Sequence, residues 1–272
     1  MRKLLAFLVL GLGFSTPLGA SDPTPLRSLI TGDDSRGWEA VGRLNMGGDS
    51  FCTGALIADN LVLTAGHCLF DKDTGRRYEA GEIEFLAGWR NGRASAYRGA
   101  RRALVHPDFD FSGLDKAQRV AHDLALIELD RPIRNTSVTP FNTAHRPRKG
   151  AEVGVVSYAY DRAESPALQE MCHVLARQSG TLVLSCEVDF GSSGAPIFIQ
   201  QDGEARIVSV VSAKAYVEET RVSLGTSLEK PLQELMAQLE ESDGVFTRVE
   251  PTARRIDLGG GLHSSGAKFV RP

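Results

Sequence analysis

From Trp38 onward the sequence breaks into short apolar runs, each closed off by clusters of Gly, Asp, Asn or Arg. The runs cover residues 40–44, 51–58, 61–65, 83–87, 103–106 and 124–129, and then 152–158, 171–176, 181–186, 196–199, 207–213 and 221–226. Stretches of about four to eight residues bounded by turn formers have the length of strands rather than helices. Two sets of about six therefore predict an all-β chain built as two antiparallel barrels or sandwiches. Residues 134–150, rich in Pro, Arg and Asn, read as the joint between a first unit at 37–133 and a second at 151–243. Leu232, Leu235, Met236 and Leu239 follow the i, i+3, i+4, i+7 spacing of one helical face, with Pro231 suited to the first turn and Gly244 beyond the end. They predict a C-terminal helix packed on the second unit.

The two ends read differently. Met1-Arg2-Lys3 leads into an apolar run from Leu4 to Phe14, and Leu18-Gly19-Ala20 ends it in small residues, so residues 1–20 read as a secretory signal peptide. The run is shorter than the ~20 apolar residues a membrane span needs, and no later segment qualifies, so no span is expected after signal removal. Residues 21–36 read as a leader or pro-segment with little core of its own, and residues 244–272 as a flexible tail. The expected location is secreted or periplasmic, and the expected state a monomer. A net charge of -3 supplies no global basic field, so no nucleic-acid partner is expected.

Export makes disulfides the natural fate of the four cysteines. Of three possible connectivities, Cys52 with Cys68 and Cys172 with Cys186 is favoured, because each closes a short loop beside a candidate catalytic residue. Zinc is the competing use, but no C-x-x-C spacing is present and no metal is expected.

Three segments carry chemistry: Thr64-Ala65-Gly66-His67-Cys68, His122-Asp123-Leu124-Ala125-Leu126 and Gly191-Ser192-Ser193-Gly194-Ala195-Pro196. A serine hydroxyl is a poor nucleophile until an imidazole removes its proton, and the imidazole needs a carboxylate to fix its tautomer. The chain holds these parts in the order His, Asp, Ser. An α/β-hydrolase would run Ser, acid, His around G-x-S-x-G, which Ala195 breaks.

Over roughly Trp38 to Leu239 these segments resemble a trypsin-like serine protease of the chymotrypsin fold. The resemblance implies two six-stranded antiparallel β-barrels with a C-terminal helix. It implies catalytic roles for His67, Asp123 and Ser193, and an oxyanion hole at the N–H groups of Gly191 and Ser193. Asp108 and Asp110 are nearby rivals to Asp123, which is preferred for the apolar strand that follows it. A Cys52–Cys68 bridge is also implied, as are polypeptide substrates and no cofactor. The implied activity is that of a secreted serine endopeptidase working through an acyl-enzyme. The alternative is a non-catalytic binding protein on the same fold, which usually betrays itself by a lost triad residue.

Digestive members carry an acid just before the nucleophile, and a freshly cut amino terminus pairs with it. Ser192 carries no charge, and Leu29-Ile30-Thr31-Gly32 is a weak echo of the usual amino-terminal motif, so the likeness is nearer to bacterial secreted members, including glutamyl-endopeptidase-like ones. Activity is therefore expected not to depend on a new amino-terminal ammonium group. For substrate choice, residue counting puts Glu187 at the base of the specificity pocket, favouring Arg or Lys, while Cys186 just before it offers an equal reading in which the local chain is pulled elsewhere and Glu187 is a solvated surface residue. The strand Ser209-Val210-Val211 is expected to pair with bound peptide, and Val211 would narrow the pocket toward small apolar side chains. The two cues point in opposite directions.

Overall fold

A computed structural model describes residues 22–48 and 50–242. The expected signal peptide at 1–20 and the expected flexible tail at 244–272 lie outside the described residues. The strands are β1 (Arg27–Ser28), β2 (Val41–Met46), β3 (Ser50–Ala58), β4 (Leu61–Thr64), β5 (Ile83–Ala87), β6 (Ala96–Val105), β7 (Ala125–Leu129), β8 (Glu152–Ser157), β9 (Ala167–Gln178), β10 (Thr181–Leu184), β11 (Pro196–Gln201), β12 (Glu204–Val217) and β13 (Thr220–Ser227). The helices are α1 (Lys116–Ala121) and α2 (Glu229–Ser242).

Strands β2-β3-β4-β7-β6-β5 close into one antiparallel barrel. The ring β8-β9-β10-β13-β12-β11 closes through the β11–β8 and β8–β9 pairings into a second. Every apolar run of the sequence carries one of these twelve strands. Closure removes the sheet edges that short strands would otherwise leave unpaired. Leu44, Leu63, Phe85 and Leu126 fill the first core, while Val155, Val174, Leu182 and Ile197 fill the second. Tyr158, Phe198 and Val210 of the second half pack into the first cluster, so the seam between the barrels is apolar.

Residues 22–36 do more than a leader with little core would. β1 pairs antiparallel with β9, and Leu29 is fully buried. Its single apolar side chain contributes about 1.5–3 kcal/mol by burial, which a charge-rich neighbourhood concealed in the sequence. α2 sits where its apolar spacing predicts, with Leu235 buried. It also reaches the first barrel: Glu234 Oε2 meets His106 Nε2 at 2.7 Å, and the Leu239 carbonyl accepts from Arg102 at 3.1 Å. The short helix α1 has no apolar periodicity to reveal it. Asp115 caps it, accepting from the N–H groups of Ala117 at 2.9 Å and Gln118 at 3.1 Å.

Candidate active site

The site lies on the seam between the barrels. β4 ends at Thr64 and a 3₁₀ turn over Gly66–Leu69 presents His67, while α1 ends two residues before Asp123. Asp123 is 2% exposed, and its Oδ1 accepts from the His67 backbone N–H at 2.7 Å while its Oδ2 meets His67 Nδ1 at 2.7 Å. Both oxygens thus bond His67, which fixes the ring against the carboxylate, and among the described residues the opposite ring nitrogen, Nε2, has no hydrogen-bond partner. Thr226 Oγ1 on β13 donates to the carbonyls of Val120 at 2.7 Å and Asp123 at 3.2 Å, so the second barrel holds the backbone that presents the acid. Asp108, the rival, is an exposed residue 3.9 Å from His122 Nε2 rather than a partner of His67.

Two opposed effects set the proton affinity of His67. Burial alone would lower its pKa; the Asp123 carboxylate, by its charge and by its hydrogen bond, outweighs burial and leaves it above the ordinary imidazole value.

Residues 189–194 form a tight loop before β11. Gly191 and Gly194 have φ of +95° and +76°, a region that side chains rarely adopt. A Cβ on Gly191 would stand 2.6 Å from the Phe51 ring and 2.9 Å from Ala159 Cα, and one on Gly194 would stand 2.4 Å from the Thr53 carbonyl oxygen. Only glycine fits. Thr53 on β3 braces this loop from the first barrel: its N–H donates to the Ser193 carbonyl at 2.8 Å and its Oγ1 to the Gly191 carbonyl at 2.9 Å. Thr64 Oγ1 in turn donates to the Thr53 carbonyl at 2.9 Å.

The N–H groups of Phe190, Ser192, Gly194 and Ala195 all find acceptors, whereas among the described residues those of Gly191 and Ser193 find none. The Phe190 carbonyl is held by the Tyr160 N–H at 2.9 Å, and in a trans peptide that turns the Gly191 N–H the opposite way. Both residues line the same cavity, so their N–H groups are available to an acceptor bound there.

His67, Gly191 and Ser193 line one cavity of about 490 Å³ with Val211, Ser212 and Lys214 of β12 and the rings of Phe51, Phe70 and Tyr160. The Cys52–Cys68 and Cys172–Cys186 disulfides are both formed. The first lies in the cavity wall beside His67.

Three of the expected substrate-contact residues, Glu187, Ser209 and Val210, lie outside the lining of this cavity. Glu187 does not line this cavity; it faces a separate space of about 350 Å³ with Arg162 and Arg221, and its N–H donates to Gln169 Oε1 at 2.8 Å. The acid that does line the Ser193 cavity is Asp189, held by Lys214 Nζ at 2.7 Å and Arg221 at 3.6 Å. Its hydrogen bond to Lys214 leads the effects that hold its pKa below the usual carboxylate value. Ser209 and Val210 are fully buried away from the cavity, with Ser209 Oγ donating to the Thr226 carbonyl at 2.8 Å. Val211 lines the cavity. Ser212 stands in no motif, yet its Oγ donates to Asp123 Oδ2 at 2.5 Å. A register shift between Val211 and Ala213 re-aims the strand there, and bulges carry no sequence mark of their own.

With this geometry in hand, comparisons with known proteins agree on one family. The family model described as Trypsin matches residues 31–222. The chain is 32% identical over 146 residues to Kallikrein 1-related peptidase-like b4 of Mus musculus, covering 51% of each chain. It is 28% identical over 161 residues to a trypsin of Phaedon cochleariae, covering 56% of each. It is 29% identical over 151 residues to a glutamyl endopeptidase of Bacillus licheniformis, covering 55% of this chain and 45% of that one. The chain thus spans about half the length of the curated relatives it matches. A solved Glu endopeptidase in complex with MPD shares the fold, with a TM-score of 0.64 and 19% identity over 81% of this chain and 98% of the other.

Proposed function

The chain belongs to the trypsin family, and from that premise we propose that it is an exported serine endopeptidase acting on polypeptides through an acyl-enzyme. Ser193 Oγ attacks the scissile carbonyl carbon as His67 Nε2 takes its proton, and Asp123 stabilises the imidazolium that results. The developing oxyanion is met by the N–H groups of Gly191 and Ser193. His67 then returns the proton to the leaving amine, and water repeats the cycle on the ester, with His67 again as base.

The observation that carries this reading is the coincidence, in one cavity, of a histidine fixed by a buried carboxylate and a serine loop with two unanswered backbone donors. Preorganised donors of that kind cost nothing to reorient at the moment of reaction, and losing one typically costs ~10²–10³ in rate. The two disulfides support a working place outside the reducing cytoplasm, reached through the signal segment at 1–20. A binding protein on this fold has no need of the His67–Asp123 pair and the open donors together.

Burst kinetics test the reading. A chromogenic ester is expected to release about one equivalent of leaving group per enzyme before steady state, and mass spectrometry should find the acyl group on Ser193. Steady hydrolysis with no acyl adduct would contradict it.

A further inference from the structure

Ser192 looks unremarkable in sequence, yet it is the most constrained side chain of the nucleophile loop. It is fully buried, and its Oγ donates to the Tyr158 carbonyl at 3.0 Å while accepting from the Asp189 N–H at 3.3 Å and from Arg162 Nη2 at 3.2 Å. One donor and two acceptor sites are all a hydroxyl has, so it is saturated.

The third partner is the unusual one. Arg162 belongs to the 3₁₀ turn Tyr160–Arg162 that follows β8, and its side chain is only 13% exposed. The same Nη2 donates to Ser157 Oγ at 3.0 Å, Nη1 reaches the exposed Asp161 carboxylate at 3.1 Å, and the buried Nε has no partner. A buried guanidinium is costly unless it is fully paired, and this one is spent on two hydroxyls and one solvated acid. Simple packing needs no charge there; a hydroxyl or an amide would serve Ser157 and Ser192. What the charge adds is reach. It ties the end of β8 to the loop that carries Gly191 and Ser193, and lines the same outer cavity as Glu187 and Asp189.

We infer that Arg162 is a positioning residue for the oxyanion loop: an internal cation that holds Ser192, and through it the free N–H groups of Gly191 and Ser193, in the arrangement that receives the oxyanion. The inference rests on the peptidase reading above. Its consequence is that the loop is ordered by groups already inside the folded chain. Thr53 holds it from the first barrel and Arg162 from the second.

The test uses the complete exported protein as wild type and as Arg162→Ala, Arg162→Gln, Arg162→Lys and Ser193→Ala. Arg162→Ala and Arg162→Gln are expected to lower kcat by about 10²-fold, the size of losing one donor of the hole, with KM changed by less than about threefold. Labelling of Ser193 by a fluorophosphonate should slow in parallel, and Arg162→Lys should recover most of the loss. Arg162→Gln keeps hydrogen-bonding capacity, so it separates charge from packing if Arg162→Ala fails to fold. Wild-type kcat in Arg162→Gln, or a loss confined to KM, would overturn the assignment. Failure of wild type to label at Ser193 would instead overturn the peptidase reading beneath it.

Discussion

Ser212 of the second barrel and His67 of the first meet on one atom, Asp123 Oδ2, at 2.5 and 2.7 Å. The acid is therefore held from both sides of the seam, and the barrels cannot shift against each other without disturbing it. Hydrogen bonds to a charged group contribute about 1.5–3 kcal/mol. Ser212→Ala is expected to lower kcat/KM by about tenfold or more, and to lower Tm, because a buried carboxylate oxygen loses a donor. Steady-state kinetics with thermal unfolding on the same preparation checks both.

Activity and stability should run in opposite directions with pH. His67 must be neutral to act as base, so kcat/KM rises as pH passes upward through its raised pKa. A folded-state pKa raised above the unfolded value contributes stability that is complete below the ordinary value of 6.5 and is lost as pH rises through the folded pKa. Asp123→Asn removes both effects that raise it, so the activity limb should move to lower pH and kcat should fall by about 10⁴-fold. A pH–rate profile beside Tm measured over the same range provides the comparison.

Gly191→Ala has no conformation to occupy. Its φ of +95° and the Phe51 ring 2.6 Å from the new Cβ force the loop to move, and with it one of the two free donors. A loss of about 10²–10³ in kcat is expected, with substrate affinity much less affected.

Cleavage after Arg or Lys should be poor, because Asp189 already holds Lys214 at 2.7 Å and Arg221 at 3.6 Å. A basic substrate side chain would have to displace Lys214, which also lies 3.9 Å over the Phe190 ring. Lys214→Ala uncovers the carboxylate and should raise the share of cleavage after Arg and Lys in a peptide-library profile. Glu187→Gln should leave that profile unchanged.

Proteins begun at residue 21 and at residue 28 should have the same kcat, since no amino-terminal ammonium is needed to order the loop. A protein begun at residue 37 loses β1 and Leu29 and should have a lower Tm by the cost of about 1.5–3 kcal/mol of apolar burial. Activity restricted to one start site would contradict this.

The parts of the site that were legible in the sequence are those written in local pattern. The strand-length runs announced twelve strands, and His67, Asp123 and Ser193 stood in motifs that kept their order. Placement across the seam was not legible. Ser212 and Thr53 reach their partners only because a register shift and a barrel-to-barrel contact put them there, and neither leaves a local trace. The position of Glu187 was not legible for a related reason: residue counting carries no information on the path of the loop, and the folded chain sets Glu187 beside a different space from the one Ser193 lines. Arg162 and Ser192 lie thirty residues apart and share no pattern, so only the folded chain joins them.

Ser193, activated by His67, is the nucleophile we propose. Wild type, Ser193→Ala and His67→Ala should each be incubated with a labelled fluorophosphonate and the adduct mapped by mass spectrometry. One adduct is expected, on Ser193, in wild type, none in Ser193→Ala, and strongly slowed labelling in His67→Ala. Labelling that persists in Ser193→Ala, or that proceeds at the wild-type rate without His67, would contradict it.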